Sequence, residues 1–486
     1  MKRCEELIKN IRPIKTIGSV SKNISSICFD SREVVVQSMF VAQKGTQVDG
    51  HDYISKAIEK GAYCIVLENL PSQLDDNVTY IQVENSSLAL AHIASAFYDY
   101  PSQKLKLVGI TGTNGKTTTV TLLHKLFLGL GYQAGLLSTI ENRINNEIIP
   151  STHTTPDAVS INKLLALMCE KGCEFCFMEV SSHAIVQRRV EGLRFEGGIF
   201  SNITHDHLDY HKTFKEYILA KKTFFDTLPS HAFALSNIDD ANGKIMLQNT
   251  KAKKYFYGLL SGATDFKAKI TEHDFRGMQL DINEHKVWVK LTGVFNAYNT
   301  LAIYATARLL GINDNKILKV LSSLNPAEGR FETYVGKNNI TAIVDYAHTP
   351  DALENVLKTI RKIRKSKQNI ITVVGSGGNR DKSKRSEMAK ISYDLSDKLI
   401  LTSDNPRSED PEEILSHIEA GMKETGKNYV KVSNREEAIK RAIEIAKKDD
   451  VIVIAGKGHE DYQILKDRII HFDDVEIAKK YLQEDQ

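Results

Sequence analysis

The segment TGTNGKTT, residues 111–118, has the residue types and spacing of a phosphate-binding loop. The apolar run 105–110 before it predicts a buried strand, and the apolar periodicity after it predicts a helix over 119–130. Glycines let backbone N–H groups approach phosphate oxygens, Lys116 can reach the β and γ phosphates, and the hydroxyl of Thr117 can bind Mg²⁺. The chain is therefore predicted to bind a nucleoside triphosphate.

The loop departs from the common pattern GxxxxGK[ST] at one position. That pattern requires a glycine five residues before Gly115, where this chain has Ile110. The departure points away from ordinary GTPases and toward families that use the shorter GTNGKT form. A simple turn is the alternative interpretation, and it is disfavoured by the strand before the loop and the helix after it.

Two polar clusters follow apolar strands in the middle of the chain. Glu179 ends the predicted strand 175–180, and the cluster HDHLDYH, residues 205–211, follows the predicted strand 198–203. Because the carboxyl ends of parallel strands meet at one edge of a sheet, both clusters are expected near the phosphate loop. A hard Mg²⁺ ion with oxygen ligands and one imidazole suits this set better than zinc. Helix capping by Glu179 and a plain polar loop at 205–211 are the alternatives.

Two other features are interpreted as structural. Cys169, Cys173 and Cys176 have no second CxxC or CxxH pair, which a zinc site needs, so they are expected to be small buried hydrophobes. Lys221 lies in a predicted helix, and from the sequence alone a helical lysine is expected at the solvated surface.

Four polar turns follow predicted strands near the C-terminus: DYAHTPD (345–351), RDK (380–382), DNPR (404–407) and GKGHE (456–460). Arg380 and Arg407 could each hold a carboxylate in bidentate fashion, and Glu460 could accept hydrogen bonds from an ammonium group. Together they predict a pocket for a zwitterionic, amino-acid-like ligand. The alternative is that each is only a polar turn.

Length and turn-rich segments predict three α/β domains, 1–101, 102–328 and 329–486, in a chain of 486 residues. The first mixes strands and helices. The second predicts a doubly wound, mostly parallel sheet of the P-loop type with a polar antiparallel segment over 267–291. The third alternates strands and helices again, as in a Rossmann-like domain.

Composition excludes several classes of protein. The chain is 42% hydrophobic and 26% charged with a net charge of +3, which gives no argument for a nucleic-acid partner. Six cysteines in this length do not suggest a disulfide framework. Without a signal-like segment or a long apolar stretch, we expect no membrane span and a cytoplasmic protein.

Taken together, these motifs closely resemble those of the Mur ligase family. The resemblance spans nearly the whole chain and rests on TGTNGKTT (111–118), MEVSSHA (178–184), NITHDHLDYH (202–211), GVFN (293–296) with Asn299, GRFE (329–332), DYAHTP (345–350) and GKGHE (456–460). The patterns DSR (30–32), MFVA (39–42) and DGH (49–51) resemble the family's UDP-sugar-binding N-terminal domain.

The resemblance implies an ATP-dependent, amide-bond-forming ligase of peptidoglycan biosynthesis. The chain is similar to members that join meso-diaminopimelate to UDP-N-acetylmuramoyl-L-alanyl-D-glutamate through an acyl phosphate. DNPR at 404–407 matches members that use diaminopimelate, whereas members that add lysine lack this arginine. The expected domains are then UDP-sugar-binding, ATP-binding and amino-acid-binding, and the expected partners are small molecules bound by a monomer.

The resemblance also implies residue roles. ATP is expected at Gly112, Thr113, Asn114, Gly115, Lys116, Thr117, Thr118, Asn296, Asn299, Arg330 and Asp345. The UDP-muramoyl dipeptide is expected at Phe29, Ser31, Thr46, Gln47, Val48, Thr154, Thr155, Ser181, Gln187 and Arg189. Diaminopimelate is expected at Arg380, Asp404, Asn405, Pro406, Arg407, Gly456 and Glu460. Catalytic roles are expected for Lys116, Glu179, His207 and Lys221, with Mg²⁺ held by Thr117, Glu179, His207 and Lys221 as its carbamate, N6-carboxylysine.

Three alternatives stay open. The same ligation with L-lysine differs only in the distal carboxylate that Arg407 would bind. A folate-type polyglutamate ligase shares the superfamily but lacks a UDP-sugar domain. A P-loop switch protein would hydrolyse the nucleotide without ligation.

Overall fold

The computed structural model describes residues 1–45, 48–380, 382–422 and 429–483, without the side chains of 208–209. Thr46 and Gln47, two of the residues expected to bind the UDP-sugar, lie outside the described residues. The described chain forms three successive α/β units, each built on its own main sheet, which confirms the predicted fold class. The boundaries after residues 101 and 328 stay predictions.

The N-terminal unit is a small mixed sheet covered by helices. The strands are β1 (Lys2–Arg3), β2 (Lys15–Ile17), β3 (Asn23–Ile24), β4 (Ser26–Cys28), β5 (Ser38–Val41), β6 (Ala62–Leu67) and β7 (Thr79–Gln82). The helices are α1 (Cys4–Leu7), α2 (Ile54–Glu59) and α3 (Ser86–Phe97). The main sheet has the order β2-β7-β6-β5-β4 and is parallel except at β2. Helix α3 begins where the side chain of Asn85 accepts from the N–H of Leu88.

The central unit carries the largest sheet. Its strands are β8 (Lys106–Thr111), β9 (Ala134–Leu137), β10 (Glu141–Ile144), β11 (Glu147–Pro150), β12 (Phe175–Glu179), β13 (Phe195–Phe200), β14 (Phe233–Asn237), β15 (Lys253–Gly258), β16 (Phe266–Asp274), β17 (Gly277–Ile282) and β18 (His285–Val289). Its helices are α4 (Lys116–Gly129), α5 (Ala158–Glu170), α6 (Ser182–Val186), α7 (Leu208–His211), α8 (Phe214–Asp226), α9 (Gly243–Met246), α10 (Val294–Leu309) and α11 (Asp314–Leu321).

The central sheet has the order β11-β10-β9-β12-β8-β13-β14-β15-β16-β17-β18. The strands from β9 to β16 in this order are parallel, and β16–β18 are antiparallel, as predicted. The hairpin β10–β11 was not predicted, because its short polar segments show no clear alternation. The predicted strand 198–203 is wrong by three residues: Glu196 interrupts the apolar run, and the N–H of Ile203 bonds Asp240 instead of a strand.

The C-terminal unit is a second parallel α/β sheet. Its strands are β19 (Glu332–Val335), β20 (Thr341–Asp345), β21 (Ile370–Ser376), β22 (Lys398–Ser403), β23 (Tyr429–Lys431), β24 (Val451–Ala455), β25 (Tyr462–Ile464) and β26 (Ile469–His471). Its helices are α12 (Pro350–Ile363), α13 (Ser383–Leu395), α14 (Pro411–Glu419), α15 (Arg435–Glu444) and α16 (Asp474–Gln483). The main sheet has the order β19-β20-β24-β21-β22-β23, and only the β19–β20 pair is antiparallel.

The sheet register brings the polar segments of the central unit to one edge. Glu179 at the end of β12 pairs with Ile110 of β8, and Phe200 at the end of β13 pairs with Thr111. Helix α4 is held over the sheet by Phe127, whose ring centroid lies 4.5 Å from that of Phe175. The turn after β8, the end of β12 and the segment after β13 therefore share the carboxyl edge of the sheet.

The C-terminal unit contacts this same edge. Asn114 Nδ2 donates to Asp351 Oδ2 at 2.8 Å, and Lys384 Nζ lies 2.7 Å from Asp206 Oδ1. Both bonds join residues from different units, so the carboxyl edges of the two large sheets face each other. No helix within the described ranges is long and apolar enough to cross a membrane.

Candidate active site

The loop after β8 is built around two glycines at which any larger residue would be strained. Gly112 has φ +154°, and a Cβ there would lie 2.0 Å from Ser201 Oγ. Gly115 has φ +87°, and a Cβ there would lie 2.5 Å from Asn299 Oδ1. Helix α4 starts at the next residue, and no side chain of the described chain caps it. The first-turn N–H groups of α4 therefore keep their capacity to bind an anion.

Two lysines donate hydrogen bonds to backbone carbonyls of this loop. Lys116 Nζ donates to the carbonyls of Gly112 at 3.0 Å and Thr113 at 2.8 Å, and Lys221 Nζ donates to the carbonyl of Gly112 at 2.8 Å. Lys221 is 1% exposed, so the expectation of a surface lysine is wrong. Helix α8 packs its lysine-bearing face against the loop, which sequence spacing alone does not reveal.

Burial changes the protonation of both lysines. It lowers the pKa of Lys116, with Glu179 and Asp206 acting in the opposite direction. It lowers the pKa of Lys221 far more, and the neighbouring charge of Lys116 adds to the effect. Both effects favour the neutral amine of Lys221, and a neutral amine is a nucleophile.

Glu179 has one carboxylate oxygen bonded and one free. Its Oε1 accepts from the N–H of Thr139 at 2.8 Å and from its hydroxyl at 3.1 Å. Its Oε2 is buried and has no hydrogen-bond partner among the described residues. A buried carboxylate oxygen without a donor fits a cation ligand, since the ion would supply the missing partner.

Asp206 and His207 lie on the far side of the same site. Burial opposes ionisation of Asp206, but His207 and Lys384 outweigh it and lower the pKa of its carboxyl to about 2. Desolvation in the site lowers the pKa of His207 to about 4, even though Asp206 acts against it. A neutral imidazole beside an ionised carboxylate is the state that can bind a metal ion.

The loop separates two cavities, which share Asn114, Gly115, Thr118 and Arg330. The first, which we call the asparagine cavity, has a volume of about 400 Å³ and is lined by Asn296, Asn299 and Asp345. Asn299 Nδ2 donates to Asn296 Oδ1 at 3.0 Å, which fixes both amides. Asp345 Oδ2 accepts from the N–H of Phe331 at 2.7 Å, and burial raises the pKa of its carboxyl to about 6.

The second cavity, which we call the carboxylate cavity, has a volume of about 560 Å³. The following predicted site residues line it: Thr113, Lys116, Thr117, Thr154, Thr155, Glu179, Ser181, Arg189, His207, Arg380, Asp404, Asn405, Arg407, Gly456 and Glu460. The central and C-terminal units thus both contribute to one cavity. The predicted residues that line neither cavity are Phe29, Ser31, Val48, Gly112, Gln187, Pro406 and Lys221.

The DNPR turn and the GKGHE turn form one corner of the carboxylate cavity. Asn405 Nδ2 donates to Glu460 Oε2 at 2.7 Å, and the N–H of Ile464 bonds Asn405 Oδ1 at 2.8 Å. Arg407 has φ +54° and its Nη1 donates to the carbonyl of Gly378 at 2.8 Å. Arg380 is exposed. The corner therefore brings guanidinium groups and carboxylates from separate turns to the same cavity.

A second corner is formed by residues expected to contact the dipeptide. Thr155 Oγ1 donates to the carbonyl of Glu179 at 2.8 Å and accepts from the N–H of Ser181 at 3.0 Å. Arg189 Nη1 donates to the carbonyl of Thr155 at 2.7 Å, and its Nε donates to Gln187 Oε1 at 2.9 Å. Gln187 thus acts through Arg189, while Arg189 lines the cavity itself.

The structure adds residues that sequence reasoning did not assign. Tyr346, His348 and Lys384 line the carboxylate cavity, and Asp351 lines the asparagine cavity. Three of them stand in the DYAHTPD turn, so the motif itself was the available signal. Thr139, which bonds Glu179, follows an unremarkable strand and carried no signal.

A glycine-rich loop between two cavities, at the facing edges of two parallel sheets, defines a multidomain P-loop-type α/β protein. Family models agree: "Mur ligase family, catalytic domain" matches residues 23–98, "Mur ligase middle domain" matches 110–307, and "Mur ligase, glutamate ligase domain" matches 329–458. The chain belongs to the Mur ligase family.

Curated relatives extend over nearly all of the chain. A UDP-N-acetylmuramoyl-L-alanyl-D-glutamate--2,6-diaminopimelate ligase from Cytophaga hutchinsonii is 54% identical and covers 98% of both chains. A protein of the same name from Phocaeicola vulgatus is 52% identical and covers 98% of this chain and 99% of its own. A solved structure of a protein with this name has a TM-score of 0.72 at 29% identity, covering 99% of this chain and 98% of its own.

Proposed function

We propose that the chain joins meso-diaminopimelate to UDP-N-acetylmuramoyl-L-alanyl-D-glutamate with ATP, in peptidoglycan biosynthesis. The observation that carries the proposal is the carboxylate cavity, where Arg407 and Glu460 stand in the same space as the phosphate loop. Diaminopimelate has an ammonium and a carboxylate at its distal end, and Glu460 and Arg407 are the matching groups. The names of the most similar relatives support the same reaction.

Each substrate is assigned to a part of the site. ATP is assigned to the asparagine cavity, with its phosphates at the loop, because Asn296, Asn299 and Asp345 line that cavity and it opens on the loop. The UDP-muramoyl dipeptide is assigned to Thr154, Thr155, Ser181 and Arg189, with its uridine end toward Phe29, Ser31 and Val48 of the N-terminal unit. We also propose that the protein is a monomer and acts in the cytoplasm, where ATP and UDP-sugars are made.

The donor set at the loop fits magnesium. Thr117, Glu179 and His207 would hold the ion, and the partnerless Oε2 of Glu179 is the observation that favours a cation there. When bound, the ion would neutralise charge on the phosphate oxygens.

Lys221 is proposed to carry a carbamate. Its neutral amine can add CO₂, forming an N–C bond and releasing one proton, which yields N6-carboxylysine. This change replaces an uncharged amine with an anion that attracts Lys116. Lys221 lines neither cavity, and its Nζ contacts the carbonyl of Gly112. The modified side chain would therefore act on the loop close to Lys116, rather than from within a cavity.

The proposed chemistry proceeds in two steps. The carboxylate of the dipeptide attacks the γ-phosphorus of ATP, giving an acyl phosphate and ADP. The amine of diaminopimelate then attacks the acyl carbon, loses a proton and expels phosphate. Lys116 and the first-turn N–H groups of α4 face the charge that develops on the transferred phosphoryl group. The contacts Asn114–Asp351 and Asp206–Lys384 hold the units together around the reaction and exclude water.

Ligation with a panel of diamino acids tests this proposal. Purified protein with ATP, Mg²⁺ and the UDP-muramoyl dipeptide is expected to yield the diaminopimelate tripeptide, identified by mass. Arg407→Ala is expected to lower kcat/KM for diaminopimelate by about 10²-fold and to leave that for L-lysine nearly unchanged, because only the first ligand has the distal carboxylate. Equal use of lysine by the unaltered protein, or phosphate release that needs no amino acid, would contradict the proposal.

A further inference from the structure

Lys457 is a fully buried cation at the floor of the carboxylate cavity. It stands two residues after the end of β24, is 0% exposed, and does not line the cavity itself. Its Nζ lies 3.3 Å from Glu460 Oε2 and 3.9 Å from Asp404 Oδ1, and it also donates to the carbonyl of Tyr462. The ammonium group is thus hydrogen-bonded to Glu460 and Tyr462, and Asp404 lies near enough for an ion pair but not for a hydrogen bond.

The two carboxylates beside Lys457 face the cavity. Both Asp404 and Glu460 line it, and Asp404 Oδ1 is buried without a hydrogen-bond partner in the described part of the chain. Gly456 leaves the space above Asp404 open, because a Cβ there would meet only Asp404 within 4 Å. Burial and Asp404 raise the pKa of Glu460, whereas Lys457 acts in the opposite direction and favours the ionised acid.

The charges of Asp404, Glu460 and Lys457, which form the floor of the carboxylate cavity, do not cancel. With both acids ionised, two carboxylates and one ammonium leave one excess negative charge, and Arg407 lines the same cavity. A ligand end with one ammonium and one carboxylate satisfies both. A ligand end that is only cationic would leave Arg407 without a carboxylate partner, and removal of Lys457 would shift the balance in its favour.

We propose that Lys457 is a positioning residue that determines specificity. It fixes Glu460, and its positive charge balances the negative charge of one of the two carboxylates, Asp404 and Glu460, at the floor of the carboxylate cavity. The floor then accepts a zwitterionic end of an amino acid in preference to a cationic one. The inference rests on the proposed function and deepens it, since it assigns the preference for diaminopimelate over lysine to a residue that touches neither.

Changes of opposite charge at the floor test the inference. In Lys457→Met, the ratio of kcat/KM for diaminopimelate to that for L-lysine is expected to fall about tenfold, because two uncompensated carboxylates favour the more cationic ligand. In Glu460→Gln the ratio is expected to rise. In the double variant, which restores the net charge, it is expected to return to within about threefold of the original.

Lys480→Met is the matched control, because Lys480 pairs with Glu436 at the surface of the same unit, and it is expected to leave the ratio unchanged. An unchanged ratio in folded Lys457→Met would overturn the inference. If that variant does not fold, a ratio that fails to rise in Glu460→Gln, or stays shifted in the double variant, would overturn it. Absence of any ligation by the unaltered protein would overturn the proposed function first.

Discussion

Two buried lysines, Lys221 in the central unit and Lys457 in the C-terminal unit, have the same side chain in opposite surroundings. Lys221 donates to one backbone carbonyl and lies near the charge of Lys116, and the described residues give it no ion pair. Lys457 lies between Asp404 and Glu460. Burial is nearly complete at both sites, at 1% and 0% exposure, so the neighbours and not the burial distinguish them.

The difference decides what each lysine can do. Without a counter-ion, a buried ammonium loses its proton, and the resulting amine can react with an electrophile such as CO₂. With two carboxylates beside it, a buried ammonium forms ion pairs and acts as an electrostatic partner. One lysine is therefore assigned to chemistry and the other to shaping a binding site.

The largest effect is expected from removing the reactive lysine. Lys221→Met is expected to lower kcat about 10³-fold, because the loop loses the anion that carbamylation would place there. Protein freed of CO₂ should lose activity and regain it when bicarbonate is added, and Lys221→Met should not respond. Ligation assays with and without bicarbonate measure this.

Lys222 provides the control on the same helix. It is also buried, but its Nζ pairs with Asp226 at 2.7 Å. Lys222→Met should therefore keep kcat within a few-fold and keep the response to bicarbonate. Full activity of Lys221→Met would contradict the contrast drawn between the two buried lysines.

The same substitution at the two lysines should change stability in opposite directions. Lys457→Met removes the buried cation between Asp404 and Glu460 and is expected to lower the free energy of unfolding by about 3 kcal/mol. Lys221→Met removes a buried polar group whose desolvation is only partly offset by its hydrogen bond to Gly112 and its contact with the ring of Tyr217, and is expected to raise it by about 1 kcal/mol in CO₂-free buffer. Urea unfolding of both variants measures the two shifts, and shifts of the same sign would contradict the comparison.

A smaller effect concerns Asp345, a buried acid whose pKa is raised to about 6. Between about pH 4 and pH 6 the folded protein holds a proton that the unfolded chain has released, so this contribution to stability is present at low pH and lost as the pH rises. Asp345→Asn cannot ionise and is expected to raise the free energy of unfolding by about 3 kcal/mol at pH 8 and by about half as much at pH 5. An equal change at both pH values would show that the pKa of Asp345 is not raised in the folded protein.

The fold was largely predictable because long apolar periodicity marks its strands and helices. Strand β8, the loop and helix α4 follow from spacing alone, and so does the mostly parallel character of the sheet around them. The hairpin β10–β11 was missed because short polar strands at a sheet edge carry little periodicity. The start of β13 was misplaced because Glu196 interrupts an otherwise apolar run.

The site was only partly predictable. Residues at the ends of strands, such as Glu179 and Arg407, could be expected at one edge because parallel topology brings them there. The burial of Lys221 and Lys457 could not be predicted, because it depends on segments distant in the sequence: the loop carbonyl of Gly112 for one and Asp404 for the other. The chemistry of a lysine is set by neighbours that spacing does not reveal.

The fate of the dipeptide's carboxylate oxygens tests the central claim most directly. Dipeptide labelled with oxygen-18 in the reacting carboxylate is incubated with the protein, ATP, Mg²⁺ and diaminopimelate, and the released phosphate is analysed for the label. Activation as an acyl phosphate predicts that one labelled oxygen appears in the phosphate and the other stays in the new amide. Phosphate without label, released while the tripeptide forms or in its absence, would contradict the account.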